Sequence, residues 1–122
     1  MAIGNIGYSL DGLGNTRAFY WTPGSGMTNL GIVGVGASRA LDINDNEQIV
    51  GQSAGKAFRW TLGTGMVLID SANNGTAVSI NNNDVALGSR VVGSANRVLR
   101  WDAANAITSV YPVLNSQGVA IN

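Results

Sequence analysis

At 122 residues the chain has room for one ordinary domain built on one core. Seven Lys plus Arg balance seven Asp plus Glu, and only 11% of residues are charged, against roughly 25% in a typical soluble domain. No basic stripe is present to neutralise a phosphate backbone, which argues against nucleic acid as a partner, and weak self-repulsion favours association. Cys and His are both absent, which removes disulfides, thiol nucleophiles, thiolate metal sites and the usual general base. No cofactor is expected. No apolar run approaches the ~20 residues needed to span a bilayer, and Met-Ala-Ile-Gly-Asn lacks the basic and apolar segments of a signal peptide.

The first expected strand covers residues 3–9, and Ile3-Gly4-Asn5-Ile6-Gly7-Tyr8-Ser9 resembles Glu47-Gln48-Ile49-Val50-Gly51-Gln52-Ser53. A second strand is expected at Arg17-Ala18-Phe19-Tyr20-Trp21, and its pattern returns as Lys56-Ala57-Phe58-Arg59-Trp60 and Arg97-Val98-Leu99-Arg100-Trp101. The interval from Trp21 to Trp60 nearly equals that from Trp60 to Trp101. Turn segments such as Thr22-Pro23-Gly24-Ser25-Gly26 follow each Trp and lead to a new apolar start at Met27, Met66 and Ile107. Pro-Gly and Gly-rich clusters of this kind join antiparallel strands. Next come Ala40-Leu41-Asp42-Ile43-Asn44, Ala77-Val78-Ser79-Ile80-Asn81 and Val119-Ala120-Ile121-Asn122, where period-2 alternation again reads as strand. Asn-rich turns then lead into Gln48-Ile49-Val50-Gly51 and Val85-Ala86-Leu87-Gly88. In the second copy Val91-Val92-Gly93-Ser94 competes for that strand, and the earlier segment is preferred for its constant spacing. Gly or Asn interrupts every stretch long enough for an amphipathic helix.

The expected fold is therefore all-β. Four short strands in a repeat of about forty residues point to a β-propeller, with a parallel β-solenoid as the rival architecture. The chain would form a single repeat domain, 1–122, with blades at about 17–53, 56–89 and 97–122, the last completed by the N-terminal strand 3–9. Three blades fall short of the four to eight of known rings. The expected particle is accordingly a homodimer of six blades, each N-terminal strand crossing to complete the partner's third blade.

The aligned blocks resemble the extracellular HAF repeats, named for a His-Ala-Phe motif. The likeness rests on Ala18-Phe19-Tyr20-Trp21 through Gly26-Met27-Thr28-Asn29-Leu30-Gly31, on Ala40-Leu41-Asp42-Ile43-Asn44 to Ile49-Val50-Gly51, and on Ala57-Phe58-Arg59-Trp60 through Gly65-Met66. Arg17, Lys56 and Arg97 stand at the His position, so no role of that His carries over. The resemblance implies an extracellular or surface-exposed protein and no enzymatic activity.

Five residues are candidate ligand contacts: Trp21, Trp60 and Trp101 as sugar-stacking faces, and Arg59 and Arg100 as anion-binding groups lining a channel. The competing expectation packs the three Trp between sheets with Phe19, Phe58 and Leu99, and leaves both Arg facing solvent. Asp42-Ile43-Asn44-Asp45-Asn46-Glu47 opens like a calcium loop, but Glu47 replaces the required Gly. A hairpin turn held by Asn side chains is expected there instead, with Asp42, Asp45 and Glu47 in solvent rather than acting as a catalytic pair. No catalytic residue is identified. The functional expectation is a non-catalytic, self-assembling protein with a structural or adhesive role at a cell or virion surface. Its alternative is a lectin-like propeller that binds surface glycans.

Overall fold

The computed structural model describes the backbone of residues 5–111 and the side chains of residues 5–108. Within that range the chain is all-β: eleven strands form three antiparallel sheets, and no helix occurs. The first sheet contains β1 (Asn5–Leu10), β2 (Thr16–Thr22) and β3 (Gly26–Gly31), paired in that order. The second contains β4 (Ser38–Ile43), β5 (Ile49–Ser53), β6 (Lys56–Thr61) and β7 (Gly65–Leu68). The third contains β8 (Asn74–Ile80), β9 (Ala86–Val92), β10 (Ala95–Trp101) and β11 (Ile107–Tyr111). Strand β9 runs from Ala86 in the preferred segment through Val91-Val92 of its competitor, whose Gly93-Ser94 forms the two-residue turn that follows.

The hairpin after each Trp has the same register, with Trp21 opposite Met27, Trp60 opposite Met66 and Trp101 opposite Ile107. The grouping of strands into sheets differs from the expected blades 17–53 and 56–89. Strands β2 and β3 lie in one sheet while β4 and β5 open the next, so the boundary falls at residues 32–37. The reason is the connections. Ala54-Gly55 and Gly93-Ser94 each turn the chain in two residues, both Ala54 and Gly55 with positive φ, which forces the flanking strands to pair. Strand β1 pairs along its length with β2 of its own chain, from Asn5 opposite Trp21 to Leu10 opposite Thr16. The expected strand at 119–122 lies outside the described residues.

The sheets pack face to face in chain order. One face of the second sheet places Ala40, Ile49, Phe58 and Trp60 against Ala18, Tyr20 and Leu30 of the first. Its other face places Val50 and Ala57, with Ile69, against Ala77, Ile80, Ala86, Leu99 and Trp101 of the third. A sheet covered on both sides needs apolar residues at consecutive positions. Strand β6 shows this, with Ala57, Phe58, Arg59 and Trp60 all buried. Among the described residues the three sheets close no ring.

Candidate functional site

The clearest functional geometry is the boundary between the second and third sheets, where turns, carboxylates and Arg59 meet. One turn design recurs four times among the described residues, and three of the four meet at this boundary. Asn44 Oδ1 accepts from the backbone N–H of Asn46 and Gln48, at 3.1 and 2.9 Å. Asn81 Oδ1 does the same for Asn83 and Val85, Asp102 for Ala104 and Ala106, and Asp11 for Leu13 and Asn15. Each turn closes with a backbone bond from its first to its fifth residue. Each also holds its fourth residue in the left-handed region: Gly14, Glu47, Asp84 and Asn105. Short Asn and Asp side chains suit the first position because they reach their own backbone two and four residues on. At Asp11 the N–H groups of Asn15 and Leu13 hold the carboxyl below its usual range.

Two of these turns are bolted together. Asn44 Nδ2 donates to Asn81 O (2.9 Å) and Asp84 Oδ1 (2.7 Å), and Asn46 Nδ2 donates to Asp84 Oδ1 at 2.9 Å. Asp45 and Asn82 exchange a reciprocal pair, Asp45 N–H to Asn82 Oδ1 and Asn82 Nδ2 to Asp45 Oδ2. Asp42 Oδ2 accepts from Ile80 N–H at 2.8 Å, and Glu47 accepts from the Tyr20 hydroxyl. Asp42 and Glu47 are half-buried and Asp45 stays exposed as expected, yet all three carboxylates join one sheet to another.

Arg59 departs furthest from its expected place in solvent. It is 4% exposed, on the face of β6 that meets the third sheet. Its Nη1 donates to Gln48 Oε1 and Asp84 O, both at 2.7 Å, and its Nη2 donates to Asp102 O at 2.9 Å. Burial pushes its pKa down, partly countered by Asp84 and Asp102. Removing these donors leaves three acceptors stranded. Arg59→Met is expected to cost about 2 kcal/mol in urea unfolding, whereas the same change at half-buried Arg100 costs less than about 1 kcal/mol. Equal costs would remove Arg59 from the supports of this boundary.

The structure separates the three Trp. Trp101 is fully buried, and its Nε1 donates to Ile69 O at 3.1 Å. Trp60 is 7% exposed and tilts against Tyr20, ring centroids 6.0 Å apart. Trp21 is 38% exposed and lies opposite Met27, which is 61% exposed. Only Trp21 among them has a face open enough to receive a ligand. The Asp70–Arg90 ion pair, with Nε to Oδ2 at 2.7 Å and the carboxylate buried, is not legible in the sequence because neither residue belongs to an aligned block. Arg59 does carry a signal, since it and Tyr20 share the middle position of Phe-x-Trp and both reach the turn of the following sheet.

No family model, curated protein or solved structure matches the chain.

Proposed function

We propose that the chain is a non-catalytic, self-assembling β-propeller module with a structural or adhesive role at a surface. The observation that carries this reading is the exposure of Trp21 and Met27, where the matching Trp60 is covered by the preceding sheet. Sheets stacked in series leave two end faces, and the first sheet presents an aromatic on one of them. Burying such a face against a second copy would remove apolar area from water at about 25 cal/mol per Å². The low charge of the chain opposes that contact little. Two copies would bring six sheets into one ring, within the four to eight common for propellers. A location outside the cell rests on the resemblance to HAF repeats alone.

Light scattering coupled to size exclusion tests the reading. The expected mass is twice the 12.6 kDa of one chain. A single species at 12.6 kDa at all concentrations would refute it. The partly exposed Trp21 also favours a second reading, in which that indole stacks on a sugar of a surface glycan. Binding on a glycan array that disappears with Trp21→Ala, in a variant of unchanged mass, would favour the lectin-like reading.

A further inference from the structure

Two turns from different sheets share a cleft of about 180 Å³ beside Arg59. One is the turn of the β6–β7 hairpin, which contributes Thr61 and Thr64; the other joins β10 to β11 and contributes Ala103 and Asn105. Two atoms on this lining break the usual rule of pairing. Arg59 Nη1 donates to Gln48 and Asp84, and Nη2 donates to Asp102, but Nε is buried without an acceptor. Asn105 Oδ1 is buried without a donor. Folded chains pair the large majority of buried polar atoms, because an unpaired one forfeits its hydrogen bonds to water. Among the described residues these are the two buried side-chain atoms without a partner, and both belong to residues of one cleft.

The sister turns show what this position does elsewhere. Asn105 is the fourth residue of its turn, as Glu47 and Asp84 are of theirs. Glu47 accepts from the Tyr20 hydroxyl, and Asp84 accepts from Nδ2 of Asn44 and of Asn46. In both, the side-chain oxygen is met by a donor from the preceding sheet. At Asn105 the corresponding oxygen is left for a ligand. An orphan donor and an orphan acceptor in one cleft select the chemistry of that ligand. A sulfate or carboxylate accepts from Arg59 Nε–H, but its oxygens repel Asn105 Oδ1. An ammonium donates to Asn105 and is repelled by the guanidinium. A hydroxyl both donates and accepts, so two neighbouring hydroxyls answer both residues, and the bond from the charged guanidinium is the stronger kind. Thr61 and Thr64 carry further hydroxyls, while Val67 and Ala103 offer apolar surface to C–H groups. An apolar cavity of about 150 Å³ holds benzene, so this cleft has room for a six-membered sugar ring.

We propose that this cleft binds a neutral pyranose sugar, one hydroxyl accepting from Arg59 Nε–H and its neighbour donating to Asn105 Oδ1. The site is complete within one chain and depends neither on self-assembly nor on Trp21, which lies on the first sheet.

Proton–nitrogen NMR of the full chain tests it, because Arg59 Nε–H and the Asn105 backbone N–H each give a signal of their own. The probes are the methyl pyranosides of glucose, mannose and galactose, with sodium sulfate as the competing anion. At least one pyranoside is expected to move both signals, with a Kd on the order of 1 mM for so small a ligand. Asn105→Gly removes the acceptor at a φ of 68°, where Gly is at ease. It is expected to keep the melting temperature of the wild type and to weaken sugar binding about tenfold or more. Failure of all three pyranosides to move the Arg59 signal would overturn the proposal. A response to sulfate in place of sugar would overturn it in favour of an anion. Sugar binding that survives Asn105→Gly would also overturn it, and its loss with Trp21→Ala would place the sugar on the first sheet. A monomer that binds sugar through Asn105 would leave this site standing and refute self-assembly alone.

Discussion

Trp101→Ala is expected to remove about 3–5 kcal/mol of stability, a large share of the roughly 5–15 kcal/mol that holds a domain of this size together. The indole is fully buried among Ile80, Ala86 and Leu99 of its own sheet and Val50, Ala57 and Ile69 opposite. Truncation leaves a void that packed sheets cannot close, and it strips Ile69 O of its donor. The melting temperature should fall by roughly 10–20 °C. Trp21→Ala is the informative contrast, because the same residue type sits in the same hairpin register with 38% of its surface exposed. Its cost within one chain should be about 1 kcal/mol, and most of its effect should appear as a dissociation of copies that grows on dilution. Urea titrations at several protein concentrations separate the two. A Trp21 variant as unstable as Trp101→Ala at every concentration would place that indole in a core instead of an assembly face.

The all-β class is readable because Gly and Asn break every candidate helix, and the Trp hairpins because turn residues follow each Trp at a constant distance. Which strand begins a sheet is harder to read. A periodic pattern has no marked origin, so blocks starting at Arg17 or at Ser38 satisfy the same spacing. The deciding signal is turn length. Two residues at 54–55 and 93–94 leave no room to change sheets, while the longer connections at 69–73 and 32–37 do. Arg59 escapes the pattern for a related reason. Alternation predicts which face a residue takes, and it says nothing of whether another sheet covers that face. With β8 and its turn packed on that side, the guanidinium finds backbone carbonyls where water was expected.

Gly51→Ala and Gly88→Ala should be as damaging as losing a core aromatic, although each adds only one methyl group. The outer strand carries an extra residue at Leu41 or Val78, and the bulge bends its backbone over the inner strand. At Gly51 the added carbon meets Arg39 O and approaches Phe58 Cε2 to 3.0 Å; at Gly88 it meets Thr76 O and comes within 2.8 Å of Ala77 Cα. These are mostly backbone atoms fixed by ladder hydrogen bonds, so relief requires the outer strand to lift away, at about 3 kcal/mol. Gly63→Ala supplies the control, since nothing lies within 4 Å of its added Cβ, and it should be neutral or stabilising by about 0.5 kcal/mol through the unfolded chain. Thermal unfolding beside the wild type reads both effects, and a Gly51→Ala or Gly88→Ala chain that melts with the wild type would show that no carbonyl crowds the inner strand.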